Sequence, residues 1–305
     1  MMNNLKLFGL VLILLAGCTT KPAPETEQQI AIVTTTGMIA DAARNVAGEL
    51  ASVTELIGPG VDPHLYKASQ GDLEKLTSAD VVFYNGLHLE GKMGEVLEKL
   101  GKRKPVVAVA ANIPDSLLRT APGFAGAHDP HIWFDVILWK HAVQAVGDFL
   151  SKQYPAQDST FQSNTTRYLS RLDSLDAAIR ARVHEIPAQQ RVLITAHDAF
   201  GYFGQAYGME VRGLQGISTL SEFGLRDVTA MVQFIIERKI KAIFVESSVS
   251  PRSIQAVVEG CKKKGWEVRI AASLYSDAMG AAGTPEGTYT GMVMANVNNI
   301  TEALK

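Results

Sequence analysis

Short apolar runs alternate with amphipathic stretches along most of the chain. Val81-Val82-Phe83 and Ala242-Ile243-Phe244-Val245 are apolar at consecutive positions, which suits strands buried on both faces. The pattern predicts first-half strands at Ile30–Thr35, Ser52–Ile57, Asp80–Asn85 and Pro105–Ala110, with helices at Met38–Gly48, Ser69–Ser78 and Gly91–Gly101. In the second half it predicts strands at Arg191–Ala196, Met209–Gly213, Lys241–Glu246 and Glu267–Ala271. Their helices are Ala199–Tyr207, Leu225–Arg238, Ser253–Lys264 and Gly287–Leu304. Such alternation predicts an α/β protein with two lobes, each holding a mainly parallel sheet flanked by helices.

A helical stretch separates the halves. Ile137–Gln153 reads as one helix, stopped before Pro155, and Phe161–Ile186 as a second, stopped by Pro187. In the second, Phe161, Tyr168, Leu169, Leu172, Leu175, Ala178, Ile179 and Val183 fall on one face. No Gly or Pro interrupts it, and its 26 residues make a rod of about 39 Å. A rod of that length can join two lobes or lie along the surface of one.

The beginning of the chain follows neither pattern. Leu7–Ala16 is an apolar run too short to span a bilayer, and it carries the signature of a secretory signal. Leu15-Ala16-Gly17-Cys18 resembles a bacterial lipobox, which implies cleavage before Cys18 and its lipidation; a plain signal peptide is the simpler alternative. Residues 19–29 are rich in Pro, Thr, Glu and Gln and read as a tether. The expected organisation is a signal peptide at 1–17, a tether at 18–29, an N-terminal lobe at 30–158, an interdomain helix at 159–186 and a C-terminal lobe at 187–305.

Composition narrows the function. The 305 residues carry 29 Lys and Arg against 31 Asp and Glu, so no basic surplus calls for nucleic acid. With Cys18 lipidated, Cys261 is the only other cysteine and reads as a small core residue. Of seven histidines, three stand in loops near strands. His64 ends Gly58-Pro59-Gly60-Val61-Asp62-Pro63-His64, His131 ends Ala127-His128-Asp129-Pro130-His131, and His197 follows the strand Val192–Ala196. Asp277 comes soon after the last strand. Parallel sheets bind ligands beyond the carboxyl ends of their strands, so a ligand held by all four would lie between the lobes. Asp-Pro-His occurs twice, and proline stiffens each loop, as metal coordination requires. Three imidazoles and a carboxylate suit a divalent transition metal, and four protein ligands favour holding the ion over using it. The expected chemistry is coordination by neutral imidazoles and an ionised Asp277. Asp62, Asp129 and Glu246 are candidates to support the ligands, Glu246 with Arg252 as a possible ion-pair partner.

These segments, with Asp80–Glu90, Thr195–Phe203, Gly213–Ser218, Glu246–Ser250 and Tyr275–Met292, resemble the solute-binding lipoproteins of zinc and manganese ABC importers, above all the treponemal type. The resemblance covers Ile30 to Leu304. It implies two lobes of four-stranded parallel sheet joined by one long rigid helix, with His64, His131, His197 and Asp277 as ligands. Zinc or manganese would be the transported ion. It also implies an ABC permease as partner and a lipid-anchored monomer outside the cytoplasmic membrane. The segment Ile113–Ala127 lacks the His-rich loop of dedicated zinc members, while His197 replaces the glutamate common in manganese members. A secreted metallohydrolase using the same residues and a surface adhesin are the rival readings. No Gly-x-Gly-x-x-Gly, His-Glu-x-x-His or Gly-x-Ser-x-Gly signature supports an enzyme.

Overall fold

The structure, a computed structural model, describes residues 29–120, 126–221 and 223–305. The signal segment, Cys18 and the tether as far as residue 28 lie outside them. No helix among the described residues is long and apolar enough to cross a membrane.

The first lobe is built on β1 (Ile30–Thr36), β2 (Ala51–Ile57), β3 (Val81–Tyr84) and β4 (Val106–Ala108). They form one parallel sheet in the order β2-β1-β3-β4, with Ile32 paired to both Val53 and Val81. Helices α1 (Gly37–Ala47), α2 (Gln70–Ser78) and α3 (Gly94–Gly101) connect the strands. Ser69 and Asp72 close a reciprocal capping box at the start of α2. Helix α3 begins three residues later than expected. The turns that open with Gly86, Leu87 and His88 at φ 83°, 53° and 65° run on through residue 93, where the Met93 N–H closes a turn on the Glu90 carbonyl.

Helices α4 (Val136–Gln153) and α5 (Asp158–His184) follow. The α5 helix has 27 residues and starts at Asp158, because a turn at Pro155–Gln157 runs straight into it and an acidic first turn suits the helix dipole. Its buried stripe is Phe161, Thr165, Tyr168, Leu172, Leu175, Ile179 and Val183.

The second lobe contains β5 (Val192–His197), α6 (Gly201–Tyr207), β6 (Glu210–Gln215), α7 (Leu225–Glu237), β7 (Ala242–Glu246), α8 (Arg252–Lys263), β8 (Arg269–Leu274) and α9 (Tyr289–Leu304). Its strands are hydrogen-bonded as two parallel pairs, β5–β6 and β7–β8, with β5 lying beside β7. Strand β8 sits a few residues beyond the expected Glu267–Ala271. It is a largely exposed edge strand, so its apolar signal is weak, and its register follows pairing of Glu246 with Leu274.

Successive strand residues face opposite layers. Ile32, Phe83, Leu193 and Phe244 belong to one core; Val33 and Val82 belong to a second, and Ile194 and Ile243 to a third. The first of these cores is continuous through both lobes, with α4, α5 and α9 running through it. Phe134 of the first half stacks on Phe200 of the second at 4.2 Å between centroids, and Trp139 stacks on Tyr289.

Candidate metal centre

The two Asp-Pro-His segments fold alike. Asp62 Oδ1 accepts the backbone N–H of His64 at 2.8 Å, and Asp129 Oδ1 accepts that of His131 at 3.0 Å. This Asx turn is a local habit of aspartate, reinforced by the proline between the two residues. Beyond the backbone the two diverge. Asp129 Oδ1 also lies 2.7 Å from the Nδ1 of His131. Asp62 instead turns Oδ2 to the hydroxyl of Thr219 in the other lobe, at 2.6 Å. Gly60 has φ +72°, and a Cβ there would stand 3.4 Å from the Ser247 carbonyl oxygen, so its loop lies against the second lobe.

His197 is the last residue of β5 rather than the residue after it. Glu246, at the end of neighbouring β7, accepts the His197 backbone N–H at 2.8 Å and sets Oε2 2.5 Å from its Nδ1. Gly213 on β6 packs so tightly against the turn at His197 and Asp198 that any side chain would collide with the Asp198 backbone. Asp277 follows β8 and is fully enclosed.

The four candidates converge. His64, His131, His197 and Asp277 each offer one donor atom, and these atoms lie within 4.8 Å of one another. The Nε2 atoms of His64 and His131 are 3.3 Å apart. Asp277 lies 3.1 Å from His197 Nε2, 3.4 Å from His131 Nε2 and 3.7 Å from His64 Nε2. Exposure of all four is 1 % or less. Both carboxylate oxygens of Asp277 and the Nε2 of His197 have no hydrogen-bond partner, although polar groups this deeply buried are normally paired. A cation at their centre resolves that deficit, so the donor set fits a metal ion. With their Nδ1 atoms facing Asp129 and Glu246, His131 and His197 direct Nε2 inward.

The three imidazoles of the centre differ in charge. Burial pushes His64 down to about 3. Burial also opposes charge on His131, but its hydrogen bond to Asp129 and the charges of Asp129 and Asp277 outweigh it and hold the ring at about 9. His197 is likewise lifted well above its ordinary range, against burial, by Asp277 and Glu246. Asp277 would be raised by burial, yet His197 and His131 hold it far below the usual carboxylate range. The two imidazoles braced by carboxylates therefore favour the charged form, and His64 the neutral one.

Arg252 is exposed at the first turn of α8 and, among the described residues, forms no ion pair with Glu246. The Glu246 side chain points across to β5 rather than along its own chain. His128 lies outside the cluster, 3.8 Å from Asp115, and His88, His141 and His184 are exposed. Two supporting groups escape the sequence reading. Buried Glu90 accepts hydrogen bonds from Thr35 Oγ1, Asn85 N and Gly86 N, and Asn85 Nδ2 donates to the Pro130 carbonyl just before His131. An acid soon after a strand and its Asn-Gly turn was the available signal. Thr219 had none.

Fold and cluster together define a two-lobed α/β protein with a buried three-histidine, one-aspartate group that can hold a metal ion. The family profile described as "Zinc-uptake complex component A periplasmic" matches residues 32–303, and the chain belongs to that family. The manganese-binding lipoprotein MntA of Bacillus subtilis is 54% identical over 292 residues, covering 95% of each chain. The zinc-binding protein TroA of Treponema pallidum is 49% identical over 273 residues, 90% of this chain and 88% of its own. The solved structure of periplasmic zinc binding protein TroA matches with a TM-score of 0.88 at 48% identity, over 91% of this chain and 99% of that one. Fe(III)-bound YtgA from Chlamydia trachomatis matches with a TM-score of 0.82 at 26% identity, over 90% and 98%.

Proposed function

We propose that this protein captures a divalent transition metal, zinc or manganese, outside the cytoplasmic membrane and delivers it to the permease of an ABC importer. The observation that carries this reading is the convergence of His64, His131, His197 and Asp277, drawn from both halves of the chain, on one buried point. Each residue supplies one ligand atom. Asp129 and Glu246 orient two of the rings, and Asp62 fixes the backbone of the third.

The protein holds the ion without turning over a substrate. Four enclosed protein ligands make a closed shell, whereas a catalytic metal usually keeps a position for water. The chain acts as a monomer anchored through lipid on Cys18, with residues 18–29 as the tether, 30–158 and 187–305 as the lobes and 159–186 as the interdomain helix. Relatives named for manganese and for zinc both stand close. Zinc binds more tightly than manganese at nearly any site of this composition, so affinity alone does not name the cargo. Uptake of each metal is measured in a deletion strain carrying the wild type or His64→Ala. Restoration by the wild type and not by the variant is expected. Uptake restored equally by both would overturn the reading.

A further inference from the structure

His64 is secured differently from the other two histidines. Asp129 and Glu246 each brace a ring at Nδ1. Among the described residues no carboxylate meets the Nδ1 of His64, and its hold comes through the backbone, where Asp62 Oδ1 accepts its N–H at 2.8 Å. The other oxygen of Asp62 is bound by the Thr219 hydroxyl at 2.6 Å, from the turn after β6 in the opposite lobe. One carboxylate thus joins the second lobe to the backbone of a first-lobe ligand.

That turn is held from behind. Gln215, the last residue of β6, donates its side-chain amide to the Thr219 carbonyl at 2.8 Å and also to that of Ser221. Gln215 is the register partner of His197. In front, Leu220 reaches the first lobe at Gly91, where any side chain would touch its Cδ1. A continuous path runs from the strand pair carrying His197, through Gln215, Thr219 and Asp62, to the backbone of His64. It passes outside the four ligands and crosses between the lobes.

We propose that Thr219 is a positioning residue for metal retention: its hydroxyl latches Asp62, and opening of this bond frees the His64 loop and sets the rate of metal loss. His64 is the ligand to yield first, because the other two imidazoles stay clamped by Asp129 and Glu246 when the His64 loop loosens. The inference rests on the four-ligand reading above.

Zinc release from the purified, zinc-loaded protein into excess chelator is followed by stopped flow, beside an equilibrium zinc titration and a melt of the metal-free form. Thr219→Val is expected to release zinc about tenfold faster, the loss of one hydrogen bond to a carboxylate, with association unchanged and the melting midpoint lowered by only a few degrees. Thr219→Ser restores the hydroxyl and should restore wild-type release. Thr219→Ala removes it without branching and decides the matter if the valine variant melts early. Release at the wild-type rate from the hydroxyl-free variants, or equally fast release from Thr219→Ser, overturns the latch alone. A wild type that takes up no zinc overturns the centre and the latch together.

Discussion

Glu246 grips His197 at two points, with one carboxylate oxygen 2.8 Å from the backbone nitrogen and the other 2.5 Å from Nδ1. The two residues are 49 positions apart and come from the ends of neighbouring strands. This grip sets both where the imidazole stands and which nitrogen faces inward. Replacing Glu246 by Gln should therefore lower metal affinity by about 10- to 100-fold while all four ligands remain. Competition against a chromophoric chelator measures it. Unchanged affinity would show that His197 needs no such support.

Metal loading should expel protons. His131 is held at about 9 and His197 is lifted well above its ordinary range by Asp277 and Glu246, so both rings favour the protonated form at neutral pH, while burial pushes His64 down to about 3. A metal needs the lone pairs those protons occupy, so binding at about pH 7.5 should release about two protons per ion. Affinity should fall steadily as pH drops from about 9. Calorimetry in buffers of different ionisation enthalpy counts the protons, and a count near zero would contradict the electrostatics of the centre.

The same groups set how the metal-free protein responds to pH. The raised value of His131 contributes stability that is complete below its ordinary 6.5 and is lost as pH rises towards about 9. The lowered value of His64 works the other way, with stability present above 6.5 and lost as pH falls towards about 3. The melting midpoint of the metal-free form should peak near the point where the two trends cross, and bound metal should remove the loss on the alkaline side. A midpoint still rising between pH 7 and pH 9 without metal would be the wrong sign.

The lobes should move little on loading. Trp133 Nε1 donates to the Ser276 carbonyl, Tyr289 to the Trp133 carbonyl and Tyr202 to the Asp129 carbonyl, all between the halves and all buried. One core runs through both lobes with α5 along it. A wide hinge motion would break these bonds and open packed surface. Small-angle scattering of metal-free and loaded protein should give nearly superimposable curves, and a change in radius of gyration of several ångström would exclude a rigid frame.

Anchoring tests the beginning of the chain. Changing Cys18 to Ser should move the protein from the membrane fraction to the soluble fraction of its own cell, with metal affinity unaltered. Membrane retention of the variant would mean that something other than lipid on Cys18 holds it there.

Much of this molecule is written in local pattern. Consecutive apolar positions such as Val81-Val82-Phe83 have two buried faces to fill, and the stripe from Phe161 to Val183 has one, so strand and helix follow from burial period alone. The doubled Asp-Pro-His announces two matching turns, because aspartate, proline and the next N–H interact within three residues. His64, His197 and Asp277 share one side because each comes at or soon after the end of a strand in a parallel sheet, while His131 joins them from the loop before α4. What each neighbouring carboxylate does is a different matter. Asp62 and Asp129 share a motif, yet one reaches Thr219 and the other a histidine ring; Glu246 passes over nearby Arg252 for a residue on β5. Those choices, and the upward shift of two imidazoles, arise from how the lobes pack and how much water they exclude. Both depend on contacts between residues far apart in the chain, which no local spacing encodes.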